Sequence, residues 1–267
     1  IGVFSGPGHL YGRTWFRGQS RAEWDLRPTI LRNGVRDALI AVTEHFTVST
    51  KLDDDQKALW PEGRLNREFR RRAASMVLTP RDPVEVYFAA QHNGLATRLL
   101  DWTTNLLAAL FFATVADPDA DGKLFALSPE LGIYPGEFGG RIESARTADD
   151  AEVRTVLTAL FTEEPWTVPA VAEGVIPIVP DLQAGRMFQQ GACFTFHPPG
   201  VAGVPLAGPT GVIIPREAKP QFQETLRRVG VSWATLFPEP DFVARDLTME
   251  FGLGATEVNP STNRPRA

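Results

Sequence analysis

The sequence is poor in the residues that build thiolate and disulfide sites. Its 267 residues include one cysteine, Cys193, together with four histidines and three methionines. A single cysteine excludes an intrachain disulfide and a metal site made of several thiolates. Because disulfide-free chains are typical of reducing compartments, we expect a cytoplasmic protein.

The sequence also lacks a long apolar run and a large excess of one charge. Its longest apolar run, residues 106–116, is interrupted by Thr114 and is shorter than the ~18–20 residues of a membrane span. We therefore expect no membrane partner. The formal net charge of −5 gives no whole-protein case for nucleic-acid binding, although it allows a local basic groove.

Several catalytic motifs are missing as well. No His/Glu spacing of a zinc peptidase, no phosphate-binding loop ending in Lys-Ser or Lys-Thr, and no Gly-x-Ser-x-Gly elbow occurs in the sequence. These absences argue against three common hydrolase classes, and we expect no metal cofactor.

The apolar and charged contents, 43% and 22%, are those of an ordinary soluble globular protein. Strand-like segments are scattered and separated by helical ones, which favours an α+β or mixed α/β fold in a single domain, and of these we predict α+β. We expect short strands in a small mixed or split sheet flanked by helices. The predicted domain covers residues 13–251, with a flexible segment at 1–12 and a disordered tail at 252–267.

Three helical segments precede or surround the centre of the chain. Apolar residues at helical spacing predict a helix over 65–78, and the polar stretch 49–63 before it reads as an exposed insertion. Asp82-Pro83 is a typical helix start. Residues 105–115 are almost entirely apolar and predict a buried helix.

The central stretch, residues 89–113, places polar side chains between two apolar helices. Such a density of polar groups is costly unless they pair with one another or with a ligand. We therefore interpret the stretch as half of a site, with residues 15–19 as the other half. The candidate residues in the stretch are Gln91, His92, Thr97, Arg98, Asp101 and Trp102.

Each candidate also has a structural interpretation. Arg17 can hold a carboxylate or phosphate, with Gly18 letting the ligand approach the backbone, or it can pair with an internal acid. Arg98 and Asp101 are three residues apart and can pair on one helical face. For His92 the alternatives are a general base, a hydrogen-bond donor to a sugar and a core histidine. For Trp102 they are packing in the core and stacking on a base or a nicotinamide.

Two further segments carry weaker signals. Gln189 and Gln190 precede a late apolar strand and place two amides at its entrance. The helix at 65–78 carries basic residues that include Arg67 and Arg71, with Arg64 just before it. This basic helix is either a solvated face or a track for a nucleic-acid backbone.

These segments, in this order, resemble the FRG domain, a bacterial family named for its Phe-Arg-Gly motif. The resemblance covers nearly the whole chain. It is carried by FRGQ at 16–19, WDLRPTILR at 24–32, the helix around Phe69, the central stretch 89–113, the strand at 123–127, RMFQQGACFTF at 186–196 and VSWATLFPEPD at 231–241.

A more distant resemblance is to ADP-ribosyltransferases, which use NAD as substrate. In that family an arginine on the first strand holds NAD, and a Ser/Thr motif and an acid at a late strand complete the site. The resemblance gives Arg17 the first role and Thr97 the second. The late position holds Gln189 or Gln190, and an amide lacks the charge that stabilises an oxocarbenium ion.

Two hypotheses follow. In the first, the protein transfers ADP-ribose from NAD to a nucleic acid or protein, as a toxin or phage-defence effector would, or hydrolyses NAD as a glycohydrolase. In the second, it is a non-catalytic module that binds a nucleotide or nucleic acid. The first assigns catalytic roles to Arg17, His92, Asp101 and Gln189, and contacts with NAD to Arg17, Gly18, Gln19, Gln91, Thr97, Arg98, Trp102 and Gln190.

Overall fold

Strands from distant parts of the chain meet in one mixed sheet. The structure is a computed structural model that describes residues 14–46, 52–74, 82–129, 141–142, 146–162, 174–180, 190–201, 210–237, 239–251 and 253. In these residues the strand order is β4-β6-β7-β2-β1-β3-β8, and β5 also pairs with β6. The strands are β1 (Trp15–Gln19), β2 (Leu99–Thr103), β3 (Gly122–Leu127), β4 (Arg141–Ile142), β5 (Arg146–Thr147), β6 (Gly174–Val179), β7 (Ala192–Phe196) and β8 (Thr210–Ile214).

The pairs of β6 with β4 and with β5 are parallel, whereas the other pairs are antiparallel. Helices supply the second layer, so the fold is α+β, as predicted. The described helices are α1 (Asn33–Phe46), α2 (Asp54–Ala73), α3 (Pro83–His92), α4 (Leu106–Thr114), α5 (Ala151–Ala159), α6 (Lys219–Arg228), α7 (Trp233–Leu236) and α8 (Pro240–Glu250).

Local capping explains where the two central helices begin. The Asp82 side chain accepts hydrogen bonds from the Val84 and Glu85 N–H groups, and Pro83 occupies the first turn of α3. Asn105 caps α4 in the same way through Leu107 and Ala108. Both predicted helix starts are confirmed.

Helix α2 begins well before the predicted segment. Asp53 and Gln56 form a reciprocal capping box, and the helix continues through Pro61 to Ala73. Ala58 and Leu59 are buried in it. The prediction of an exposed insertion over 49–63 is therefore wrong for residues 52–63, because acidic residues and a proline that resembled a loop are the start and interior of a helix.

Strand β2 is the larger departure from the predicted pattern. Residues 99–103 pair with all five residues of β7, from Leu99 opposite Phe196 to Thr103 opposite Ala192. The polar cluster of the central stretch therefore lies on and beside a central strand, not on a helical face. Asp101 is exposed, whereas the other four residues of β2 are buried. The strand therefore lacks the regular alternation of apolar and polar residues by which strands are recognised in a sequence.

The two faces of the sheet are covered differently around β1. Trp15 packs with Leu100 and Trp102 of β2 in one cluster of buried residues. On the opposite face α4 lies directly on Gly18, where an added Cβ atom would stand 1.8 Å from the Ala109 carbonyl oxygen. Glycine at this position is therefore required by the packing of α4 on β1.

Strands β1 and β2 are neighbours for only a short distance. They share a single register pair, Phe16 opposite Thr103, whereas β1 and β3 share five. Beyond that pair, the 3-10 turn Thr29–Leu31 approaches β2, with the Ile30 N–H donating to the Thr97 carbonyl at 3.4 Å. We call the region between the end of β1 and the start of β2 the split.

Candidate functional site

Arg17 lies at the split. Its Nη1 donates to the backbone carbonyl of Asp101 at 2.8 Å, where a regular sheet would have a backbone donor. Its Nε is buried and has no hydrogen-bond partner among the residues that the structure describes. Burial lowers the pKa of Arg17 to about 10, while the Asp101 carboxylate raises it and Arg32 lowers it, so the guanidinium remains charged at neutral pH.

The Asp101 carboxylate is held by Gln91 and not by an arginine. Gln91 Nε2 donates to both carboxylate oxygens, at 3.0 and 2.9 Å. The Thr97 hydroxyl donates to Gln91 Oε1 at 2.5 Å, which fixes the amide with its NH₂ group toward Asp101. Because Thr97 is fully buried, it positions Gln91 and does not face a ligand.

The predicted ion pair between Arg98 and Asp101 is wrong. Residues three apart meet on a helix but point to opposite faces of an extended chain. Arg98 instead pairs with Glu62 of α2, with its Nη2 2.9 Å from Oε2, and both side chains are buried. The Arg98 backbone N–H donates to the Tyr87 hydroxyl oxygen at 2.8 Å.

Trp102 packs in the core and does not offer a stacking surface. It is 3% exposed, and its Nε1 donates to the Thr195 hydroxyl at 3.0 Å. The same hydroxyl lies 3.3 Å from His197 Nε2. Burial is the largest of three influences that lower the pKa of His197 to about 3, followed by the charges of Arg98 and Arg17.

Of the two late glutamines, Gln190 is described and does not reach the split. Gln189 lies outside the described residues. Gln190 precedes β7, and its Nε2 donates to the Leu236 carbonyl at 2.9 Å. The Thr103 hydroxyl donates to the Gln190 carbonyl, which places Gln190 at the end of β2, whereas Thr97 precedes the start of the strand.

The remaining candidates are Gly18, Gln19 and His92. Gly18 contacts α4, so a helix and not a ligand makes the close approach to its backbone. Gln19 is buried, with Nε2 3.5 Å from the Asp25 carbonyl and with Oε1 unpartnered. His92 is the half-buried last residue of α3, next to Gln91.

Sequence reasoning missed two residues near this site, Arg32 and His197. Arg32 ends the 3-10 turn and is half-buried, and its pKa is lowered by burial and raised by Asp101. The only sequence signal for Arg32 was its place in the segment WDLRPTILR. His197 follows an apolar strand, and nothing in its neighbours marks it as close to Arg17.

The basic helix carries less free positive charge than its composition suggests. Arg67 donates to the carbonyls of Phe161 and Thr162, and Arg71 pairs with Glu68. Arg64 is exposed, with its guanidinium 5.8 Å from the centre of the Phe46 ring. A nucleic-acid partner at this helix stays a prediction.

Part of the chain matches the model of a known protein family. Residues 12–122 match the model of the FRG domain. The match supports the resemblance of this segment to the FRG family. No curated protein and no solved structure matches the chain, so no relative supports the resemblance to ADP-ribosyltransferases.

The FRG segment, residues 12–122, contains Arg17, Arg32, Gln91 and Asp101, and therefore most of the split. The strand that carries His197 lies after it. Within the described residues, none of the helices combines the length and apolar character that a bilayer crossing requires. In the same residues, no group of three or more His, Cys, Asp or Glu side chains is arranged to hold a metal ion.

Proposed function

We propose that this protein uses NAD at the split, cleaves the nicotinamide–ribose bond and passes ADP-ribose to a nucleophile. The observation that carries the proposal is the order β7-β2-β1, in which the three strands that bear or adjoin the motif positions of an ADP-ribosyltransferase are neighbours. Arg17 contacts the Asp101 backbone carbonyl in this part of the sheet, although the alternation of side chains places Arg17 on the Trp15 face and the Asp101 carboxylate on the opposite face. The family match supports the FRG resemblance of residues 12–122 and does not bear on this activity.

Arg17 is the binding group of the proposal. Its charge and its buried, unpartnered Nε suit a phosphate oxygen of NAD, to which a guanidinium can donate two parallel hydrogen bonds. Because Nη1 is already held by the Asp101 carbonyl, the guanidinium is oriented before the ligand arrives.

Asp101 takes the role that a late-strand acid has in ADP-ribosyltransferases. Its carboxylate is exposed and oriented by Gln91, which Thr97 orients in turn. As the glycosidic C–N bond breaks, its electron pair leaves with nicotinamide, which becomes neutral, and positive charge develops on the ribose. A fixed carboxylate stabilises that charge. Water or an acceptor hydroxyl then attacks the ribose carbon and loses its proton to Asp101 or to solvent.

The test is release of nicotinamide from NAD by the full chain, measured by chromatography. We expect release above the blank, and a loss of about 100-fold or more in Asp101→Asn, which keeps the shape of the side chain but removes its charge. Arg17→Gln should weaken NAD binding. Arg70→Gln, at an exposed position of α2, serves as control. Absence of nicotinamide release at high protein concentration contradicts the proposal.

A second candidate function is nucleotide binding without chemistry. It is favoured by Gln190, which stands where an ADP-ribosyltransferase would have its acid. Gln190 is a neutral amide, and its side chain donates a hydrogen bond to the Leu236 carbonyl, away from Thr97. The two functions differ in the fate of NAD. A binding module raises its thermal unfolding midpoint with NAD and returns the nucleotide unchanged, whereas the enzyme consumes it.

A further inference from the structure

A cavity of about 260 Å³ lies between α1, α2, the 3-10 turn and the residues that follow β7. We call it the α1–α2 cavity. Neither Arg17 nor Asp101 lines it, so it is separate from the site of the proposed function. Its volume lies below the ~300–1,000 Å³ of sites for drug-sized ligands, so it suits a smaller molecule. Apolar side chains make up much of its wall, and they include Ile30, Leu39, Ala58, Leu59 and Val201.

The buried ion pair of Glu62 and Arg98 also lines the α1–α2 cavity. Arg98 Nη2 lies 2.9 Å from a Glu62 carboxylate oxygen, and Arg98 Nη1 donates to the His197 carbonyl at 3.4 Å. Each of these nitrogens carries two hydrogens. Within the described residues, one hydrogen on each nitrogen therefore has no acceptor. The charge of this pair is balanced, but Arg98 still has donors for a ligand.

Two further arginines line the α1–α2 cavity, Arg27 and Arg36, and they raise its lining to three arginines and one glutamate. The contacts of Arg27 are long. Its Nε lies 3.5 Å from an Asp25 carboxylate oxygen, and its Nη1 lies 3.3 Å from Asn33 Oδ1. Because Asp25 is exposed, solvent weakens this pair. The lining therefore has an excess of positive charge, and Arg27 can exchange its present contacts for a ligand.

We propose that the α1–α2 cavity binds a small carboxylic acid with an apolar body, with the carboxylate on Arg27 and the hydrocarbon part between α1 and α2. A guanidinium can donate two parallel hydrogen bonds to a carboxylate. Side chains such as Leu39 and Leu59 would remove the hydrocarbon part from water. A single negative charge suits the cavity better than a phosphate dianion, because Glu62 already places one negative charge in its wall. This inference does not rest on the proposed function.

The test compares probes that differ in charge or in apolar body. Isothermal titration calorimetry of the full chain with benzoate and with 3-methylbutanoate should give saturable binding. Benzamide and 3-methylbutanamide keep the shape but lack the charge, and acetate keeps the charge but lacks the apolar body. Each of these probes, and inorganic phosphate, should bind at least about 10-fold more weakly.

Two variants locate the binding site. Arg27→Gln should weaken benzoate binding about 10- to 100-fold, because it removes the charged donors. Ala58→Leu should abolish it, because the larger side chain fills the space that the apolar body needs. The matched controls are Arg70→Gln and Ala38→Leu, at exposed positions of α2 and α1 that do not line the cavity.

Each variant is first checked by its thermal unfolding midpoint. If Arg27→Gln or Ala58→Leu does not fold, nuclear Overhauser effects in the unchanged chain replace it. They should connect the ring protons of bound benzoate with the methyl groups of Ile30 and Leu39, which both line the cavity.

Carboxylate binding that Arg27→Gln and Ala58→Leu weaken, and the two controls do not, supports the proposal. No saturable binding of either carboxylate at millimolar concentration overturns it. Equal binding of phosphate or of the amides, or an unchanged affinity in Ala58→Leu, also overturns it. Cleavage of NAD has its own test at Arg17 and Asp101, so the two proposals can fail independently.

Discussion

At the scale of single residues, His197 illustrates how the sheet keeps a titratable group neutral. Its ring is fully buried, Nε2 faces the Thr195 hydroxyl at 3.3 Å, and Nδ1 has no partner in the described part of the chain. The Thr195 hydroxyl accepts from Trp102, so it can donate its own proton to Nε2. The neutral ring holds a single proton, and the charges of Arg98 and Arg17 disfavour a second one.

This neutral histidine predicts a pH dependence of stability. The folded pKa is about 3, whereas the unfolded pKa is near its usual 6.5, so between these values only the unfolded chain binds the proton. The free energy of unfolding should therefore fall as the pH drops below about 6.5, by about 2 kcal/mol at pH 5 from this residue. Urea unfolding at pH 7 and pH 5, with His197→Gln for comparison, measures it.

The variant should lose less stability than the unchanged chain over the same interval. Other groups titrate in both proteins and cancel in the difference. An equal loss in the two proteins would show that His197 is protonated in the folded state, contrary to its surroundings.

A second residue-scale prediction concerns the buried pair of Glu62 and Arg98. Glu62→Ala removes the only described carboxylate partner of a buried guanidinium, and we expect a loss of about 3–5 kcal/mol in the free energy of unfolding. Glu68→Ala, on the same helix but in an exposed pair with Arg71, is the matched control and should change stability little. Similar losses in both variants would contradict the expected cost of an unpaired buried charge.

At the scale of elements, the contact of β1 with α4 positions the split. Gly18 and Gly122 both lie under α4, where added Cβ atoms would stand 1.8 Å from the Ala109 carbonyl and 2.2 Å from the Ala113 carbonyl. Helix α4 begins directly after β2. Because α4 also packs on β1, it holds the end of β2 next to β1 on one side of the split. The glycine of the Phe-Arg-Gly motif therefore has a packing role beside the arginine's binding role.

Gly18→Ala should consequently prevent or strongly impair folding. The clash is with backbone atoms that a rotamer change cannot move, so β1 and α4 would have to separate. Gly34→Ala in α1 is the control, since an added Cβ there meets nothing within 4 Å and alanine favours a helix. Circular dichroism and thermal unfolding of the two variants measure the difference. A Gly18→Ala protein as stable as the control would show that α4 is not seated as described.

The elements with strong local signals were predictable from sequence. The start of α3 follows from Asp82 and Pro83, and α4 follows from the apolar run over 105–115. The strand β2 was missed because Asp101 interrupts its apolar pattern and because its partner, β7, lies about ninety residues later. Pairing over such a distance leaves no periodic signal in either strand.

The candidate site was only half predictable for the same reason. The meeting of residues 15–19 with the central stretch was expected, and Arg17 does contact Asp101, although through a carbonyl and not a carboxylate. Arg98 was assigned to the wrong acid, because Glu62 lies in a segment interpreted as an insertion. Arg32 and His197 belong to the site through tertiary packing, which composition and spacing do not report.

At the scale of the whole molecule, the sheet extends beyond the FRG match. The matched segment ends at residue 122, but β2 pairs with β7 and β3 pairs with β8, each through five register pairs. His197 also comes from this later part. We infer that the FRG segment depends on the following residues for its sheet and for the site.

A chain limited to residues 1–122 should therefore fail to fold on its own. It would expose the edge of β2 that β7 covers and would lack most of β3, so the central strands would have open hydrogen-bonding edges and uncovered apolar faces. Chain 1–251, which keeps the strand partners, is the control and should unfold in one cooperative transition. Circular dichroism, limited proteolysis and size-exclusion chromatography compare the two. Cooperative unfolding of chain 1–122 as a monomer would mean that the FRG segment is an independent domain, and the later strands would then be an addition to it and not a part of its core.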